Sequence, residues 1–307
     1  MKRRVFINKS LGAGAIAGTA LALGNFGSLF ASEIFGSVLP YDLVAVKGGE
    51  PEAMFEKAIL SLGGMKAFVK KGQKVVLKPN IGWDVSPERA GNTNPKLVAR
   101  IIRHCLDAGA SEVYVFDNTC DNWAKCYKNS GIEKAVKDSG GKMAPANTEG
   151  YFHPVQIKQG KNLKNAKVHE LLLGADVFIN VPVLKHHSSA EISLSMKNLM
   201  GVVWDRGYWH RNDLHQCIAD YATFRKPDLN IIDGYRVMMR NGPRGVSLAD
   251  VVTMKQLLIS TDMVAIDAAA TKIFGGDPAN IPFIKKANDM KVGHMDLKGL
   301  NIKRIVM

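Results

Sequence analysis

The chain has 307 residues, 46% of them hydrophobic, which is enough to bury one large α/β core or two small ones and excludes a disordered or low-complexity protein. Its 41 Lys and Arg against 28 Asp and Glu give a net charge of +13, but the basic residues are scattered, with only doublets such as Lys70-Lys71 and Lys285-Lys286 and no stripe interleaved with aromatics. That pattern argues against nucleic acid as a partner and for the attraction of a small anionic ligand.

At the N-terminus Lys2, Arg3 and Arg4 precede Val5 and Phe6, and Ser10 to Ser32 then carries no charge, ending in the small residues Ala31 and Ser32. A basic start, an apolar middle and a small-residue end compose an export signal, and the adjacent arginines point to the twin-arginine route. Residues 1–31 are therefore expected to be a removed signal and residues 32–307 a single periplasmic α/β domain. The rival is an uncleaved membrane anchor, since the run is long enough to span and Leu29-Phe30-Ala31 is an imperfect cleavage site. Gly12, Gly14, Gly18, Gly24 and Gly27 dilute the run and favour the signal. The stretch Gly12 to Gly18, GAGAIAG, imitates a dinucleotide-binding loop, but the preceding MKRRVFINKS is too basic and polar for the buried strand that such a loop must follow. Twin-arginine export carries folded proteins, so the export machinery is an expected partner. Of the four cysteines, none forms a CxxC pair, so no iron-sulfur cluster is expected. Cys105 reads as core, while Cys120 and Cys126 could be either a disulfide or two free thiols.

In chain order, Tyr41 to Val46 reads as a short strand and Glu52 to Leu62 has helical spacing. KVVLKPN, residues 74 to 80, is an apolar strand with Lys78 and Asn80 at its carboxyl end. After a polar loop from Gly82 to Thr93, Asn94-Pro95 predicts a capped helix running to Gly109. EVYVFDN, residues 112 to 118, is a second buried strand, ending in Asp117 and Asn118. The segment to Gly140 reads helical, and residues 141 to 165 read as irregular or peripheral. A strand within Leu171 to Lys185 exits on Lys185, His186 and His187, and an apolar-periodic segment bearing Lys197 and Asn198 follows, to Val203. WDRGYWHRNDLHQ is rich in aromatic and titratable residues, and Ile218 to Phe224 looks helical. LNIIDG ends a strand at Asp233, MRNGPRG is a turn-rich loop, and QLLIST is a further strand. Asp262 can cap a helix from Met263 to Phe274, which Gly275 and Gly276 terminate.

Short apolar strands alternating with helices predict an α/β fold, with an open, mostly parallel or mixed sheet and helices on both faces. Five candidate strands end in Lys78/Asn80, Asp117/Asn118, Lys185/His186, Asp233 and Asp262. The carboxyl edge of such a sheet faces the ligand crevice, so these residues are expected to converge on one site.

Lys78, Lys185 and Lys197 suit an anion, and a desolvated lysine can also serve as a base; the alternative is that Lys78 and Lys185 each pair with Asp117 or Asp233, and that Lys197 snorkels to solvent. His186 and His187 cannot both face one site from extended backbone, because successive side chains alternate. A nitrogen/oxygen set around His186, His210 and His215 is the candidate for a divalent metal, against hydrogen-bonded or surface histidines. Asp267, inside the last helix, is expected to pair with a nearby base. Nucleophile-elbow, P-loop and HExxH signatures are absent from the sequence, which disfavours ordinary serine hydrolases, P-loop nucleotide hydrolases and zincin proteases.

VVLKPN, the helix starting TNP, EVYVFDN, GADVFINVPVLKHH, SLSMKNLMGVV, KPDLNIIDG, NGP and STDMVAIDAAA together resemble the proteins grouped as domain of unknown function 362. The likeness spans roughly Lys74 to Gly276, with the motifs in order. In that family the lysine-histidine strand exit and the lysine-asparagine helix recur, which maps onto Lys185, His186 or His187, Lys197 and Asn198. Some members carry ferredoxin-like cysteine clusters and others twin-arginine signals, and this chain resembles the second kind.

These readings combine into an expected exported enzyme acting on a small anionic substrate, with or without a divalent metal or organic cofactor. Lys78, Asn80, Asn118, Lys197 and Asn198 are the expected ligand-binding residues. The expected catalytic set is Lys185, His186, His187, Asp117 and Asp233, in which a histidine or aspartate moves protons. The alternative is a non-catalytic binding or maturation protein that uses the same crevice.

Overall fold

The computed structural model describes residues 39–307, and Leu39–Met307 form one compact unit. The expected signal over residues 1–31 lies outside the described residues. Twelve strands are present among them: β1 (Leu43–Lys47), β2 (Lys74–Pro79), β3 (Glu112–Val115), β4 (Lys142–Met143), β5 (Phe152–Gln156), β6 (Asn165–His169), β7 (Val177–Val181), β8 (Val183–His187), β9 (Glu191–Ser193), β10 (Leu229–Met238), β11 (Val251–Ser260) and β12 (Ile302–Val306). The main sheet runs β12-β1-β11-β10-β7-β2-β3-β4, with β8 attached to β10 and β9 to β8. The run β10, β7, β2, β3 and β4 is parallel, while β11 is antiparallel to both β10 and β1. This is the mixed α/β sheet that the alternation of apolar runs and helices predicts.

Both faces of the sheet are covered, which explains the near-continuous apolar strands. The pleat divides them: Val75, Leu77, Ile179 and Ile231 pack against the helices Pro51–Ser61 and Pro95–Asp107. Val76, Phe178, Ile232 and Leu258 belong to the second core, with Val264, Ile266 and Phe283 of the helices Met263–Phe274 and Pro282–Asp289. By the same alternation Lys78 follows Val76, and Asn180 follows Phe178, onto the second face. Asn94 caps its helix by accepting the Lys96 amide at 3.0 Å, as the Asn-Pro pair predicts.

Three departures from the sequence reading bear on the site. The strand expected within Leu171 to Lys185 is two strands broken at Pro182, which has no N–H to give to the ladder. β7 ends there, and β8 swings across to pair with the far half of β10, with Lys185 opposite Met238. The segment to Val203 is no continuous helix but β9, a one-turn helix (Ser195–Asn198) and a 3-10 turn (Leu199–Val202). Finally, β10 continues five residues beyond Asp233, and β11 runs the other way, so Asp262 falls at the opposite edge of the sheet from Lys78. No described helix is long and apolar enough to cross a membrane.

Candidate active site

The carboxyl ends of β2 and β3, the strand β8 and the one-turn helix Ser195–Asn198 enclose a small polar recess of about 50 Å³. Lys78 and Asp117 form its floor, with Nζ 3.1 Å from Oδ1 and both side chains almost fully buried, at 1% and 3% exposed. Asp117 Oδ2 also accepts the Ile81 amide at 2.7 Å. Lys78 Nζ donates to Asn198 Oδ1 at 2.9 Å. Burial lowers the Lys78 pKa, and Asp117 works against that fall. Lys78 is thus already compensated by a carboxylate.

Asn198 is saturated. Its Oδ1 accepts from Lys78 and from Asn80 Nδ2, and its Nδ2 donates to the Lys78 carbonyl and to Asn180 Oδ1 at 2.8 Å. Asn180 in turn donates to the Ser195 carbonyl and to Asn230 Oδ1. A side-chain amide has two donors and one two-fold acceptor, so Asn198 has nothing left for a ligand. It orders Lys78 and Asn80 instead.

Lys185 and Lys197 differ from Lys78. Lys185 is 1% exposed; its Nζ donates to the Gly91 carbonyl at 2.5 Å and to Asn80 Oδ1 at 3.2 Å, and lies 5.9 Å from the centre of the Trp83 ring. No carboxylate pairs with it among the described residues, and one ammonium proton remains for the recess. Lys197, on the one-turn helix, lines the recess and makes neither hydrogen bond nor ion pair among the described residues. Burial pulls Lys185 down to about 7 and Lys197 to about 8.

His187 lines the recess and His186 does not, in keeping with alternation along β8. His187 Nδ1 accepts the amides of Ser189 and Ala190 at 3.1 and 3.2 Å. The neutral ring therefore carries its proton on Nε2. Burial first, then Lys197 and Lys185, press its pKa down to about 2, so it is a fixed hydrogen-bond donor and a poor proton acceptor. His186 Nδ1 accepts the Gly242 amide at 3.1 Å and anchors the Asn241-Gly242-Pro243 loop, whose proline borders the recess.

Other expected members lie elsewhere. Asp233 is buried within β10 and accepts the amides of Asn94 and Tyr235 at 2.7 and 3.1 Å, positioning the start of the Pro95–Asp107 helix; burial raises its pKa to about 6. Asn118 donates to the Val203 carbonyl at 2.8 Å and receives no place in the recess wall. Asp262 caps Met263–Phe274 through the amides of Val264 and Ala265, and it pairs with His294. Asp267 pairs with no base among the described residues; it accepts the amides of Ser195 and Met196 at 2.7 and 3.0 Å. The proposed metal set does not assemble: His215 stacks on Phe283, and no group of three or more His, Cys, Asp or Glu side chains arranged for a metal occurs among the described residues. The residues present do not fit a protein-ligated divalent ion. Cys120 and Cys126 are free thiols, Cys126 turned into the core beside the Gly82 carbonyl and Cys120 exposed at the recess.

Sequence reasoning missed Arg206, Cys120, Trp83 and Gly201, which all border the recess. Arg206 was signalled only by the density of titratable residues in WDRGYWH. Gly201 carried no signal, yet a Cβ there would lie 1.8 Å from Asp117 Oδ1 and 2.6 Å from Lys78 Nζ.

The family model described as Domain of unknown function (DUF362) matches residues 75–272, which contain the whole recess. The chain belongs to the DUF362 family. Among similar proteins, the Thylakoid-associated protein sll1697 of Synechocystis sp. is 29% identical over 235 residues, covering 72% of this chain and 69% of that one. Among solved structures, the lactate racemase apoprotein from Thermoanaerobacterium thermosaccharolyticum aligns with a TM-score of 0.45 at 12% identity, over 80% of this chain and 56% of the other. A protein from Thermotoga maritima aligns at 0.48 and 11%, over 74% and 60%. This DUF362 chain spans less than two thirds of either solved chain.

Proposed function

We propose that this DUF362 protein is an enzyme that binds a small carboxylate in the recess and moves a proton on it through Lys185. The observation that carries this reading is the pair Lys185 and Lys197, two cations facing one small space without a carboxylate, while the site's one acid, Asp117, is taken by Lys78. A buried cation without a counter-charge is costly, and a bound anion relieves that cost. A recess of about 50 Å³ suits a head group of only a few non-hydrogen atoms.

Within this reading Lys197, Arg206 and the Nε2–H of His187 hold the carboxylate, and the Trp83 ring closes one wall. Lys185 is the proton-transferring group because its pKa near 7 leaves amine and ammonium both populated at neutral pH. That role falls to a lysine rather than to the expected histidine or aspartate, since His187 Nδ1 and both Asp117 oxygens are engaged.

Sodium acetate titrated calorimetrically should bind at pH 6 and weaken by about tenfold or more by pH 9, because affinity follows the protonated lysines through their values of about 7 and about 8. Proton transfer is read by NMR as loss of the α-proton signal from a panel of small carboxylates in D2O. Exchange with the wild type and none with Lys185→Met supports the enzyme. Binding without exchange leaves the alternative, a non-catalytic ligand-binding or accessory protein, and absence of both removes the reading.

Export by the twin-arginine route to the periplasm is inferred from Lys2-Arg3-Arg4 and the uncharged stretch Ser10 to Ser32. Replacing Arg3 and Arg4 by lysine in a fusion of residues 1–31 to a folded reporter should abolish its export. Unchanged export of the lysine version would refute the route.

A further inference from the structure

Cys120 is exposed where the other three cysteines are buried, and it borders the recess. Its sulfur accepts from Arg206 Nη1 at 3.3 Å, while Arg206 Nη2 is fixed by the Thr119 carbonyl at 2.7 Å. The guanidinium is therefore held in place against the sulfur by a second bond. A second observation marks the space beside that sulfur as a ligand position. His187 is 7% exposed and lines the same recess, with Nδ1 spent on two backbone amides and Nε2 without a partner among the described residues. Lys185 and Lys197 line the same recess as Cys120.

We infer that Cys120 is a nucleophile serving this recess, and that its reaction partner is a small carboxylate bearing an electrophilic carbon. The inference rests on the anion-binding reading of the same recess and adds the covalent step. Lys197, Arg206 and the His187 Nε2–H take the carboxylate, which brings the adjacent carbon to the sulfur at the mouth. The sulfur forms a bond to that carbon, the bond from the carbon to its leaving group breaks with both electrons, and the thiol proton passes to solvent through the exposed side. Nothing is oxidised or reduced. Cys105, Cys126 and Cys217, all buried, give no competing reaction.

Iodoacetate and iodoacetamide differ chiefly in the charge beside the reacting carbon, so they test both halves of the inference in the full-length protein. Alkylation of Cys120 is followed by mass spectrometry, with N-acetylcysteine as the reference thiol. The iodoacetate-to-iodoacetamide rate ratio should exceed that of the reference by about tenfold or more, the scale of electrostatic focusing in a charged cleft. It should fall to the reference value in Lys197→Met and in the more exposed variant Arg206→Gln, and acetate should slow the wild-type reaction. Rates at or below the reference with both reagents, or a ratio equal to the reference, would overturn the inference. Calorimetry with acetate on Cys120→Ser separates the two readings: binding retained there, beside failed alkylation, leaves the anion site standing and removes only the nucleophile. If acetate binds neither wild type nor variant and the ratio is not raised, both fall.

Discussion

Gly201 shows how closely the candidate site depends on a single side chain being absent. The turn Leu199–Val202 passes directly over the Lys78–Asp117 pair, and any Cβ at 201 would occupy the space of the carboxylate oxygen. Gly201→Ala must therefore displace a buried ion pair, which should cost about 2–4 kcal/mol of stability. Urea unfolding of the variant tests this, and an unchanged midpoint would show that the pair can move aside freely. The lysines at 78 and 185 looked alike in the sequence, each near a strand end among polar neighbours. Their difference is made by partners 39 and 94 positions away, Asp117 for one and the Gly91 carbonyl for the other, and no local pattern encodes which lysine receives the acid.

Among the elements, the four-residue helix Ser195–Asn198 is too short to be stable by its own hydrogen bonds. It is held from outside: Asp267, on the Met263–Phe274 helix, accepts its first two amides and so supplies the cap that its own N-cap residue, Leu194, lacks. Asp267→Ala leaves those buried amides unpaired and should cost about 2–4 kcal/mol, with loss of acetate binding as Lys197 and Asn198 lose their register. Asp267→Asn, which keeps one acceptor, should lose less. Equal loss in the two variants by urea unfolding would show that the cap contributes nothing specific. The sequence marked SLSMKNLMGVV as apolar with a lysine, and that was correct as burial. It overstated the length of the helix, since the apolar spacing arises from several short pieces each packed into the core.

Across the whole molecule, the buried Lys185 and the partly buried Lys197 make stability depend on pH. Lys185 and Lys197 stand at about 7 and about 8 when folded against an ordinary 10.5. Between pH 7 and 9 the unfolded chain thus holds protons that the folded one has released, and stability rises with pH. Above pH 9 the trend reverses, because burial raises the Cys126 thiol to about 12 and the Cys217 thiol to about 11, so the unfolded chain then loses protons that the folded one keeps. The unfolding free energy should accordingly climb by about 2 kcal/mol from pH 7 to 9, and Lys185→Met should flatten most of that climb. A flat wild-type profile would mean that Lys185 keeps its charge in the fold.

The sequence by itself determined the fold class and the family, and it pointed to the carboxyl ends of β2 and β3, which border the recess. Strand and helix periodicities are local, strand ends in a parallel sheet share one edge, and the family motifs lie in contiguous stretches. Only the tertiary structure decided the membership of the site. Pro182 turned β8 away from β7 and carried Lys185 over to β10, β10 ran past Asp233 and buried it, and the reversal of β11 sent Asp262 to the far edge. The same packing brought in Arg206 from the start of a short helix and Cys120 from a loop, neither of them within a motif. Strand direction and pairing partner are set by contacts between segments distant in the chain, so they determine which side chains meet without leaving a local trace in the sequence.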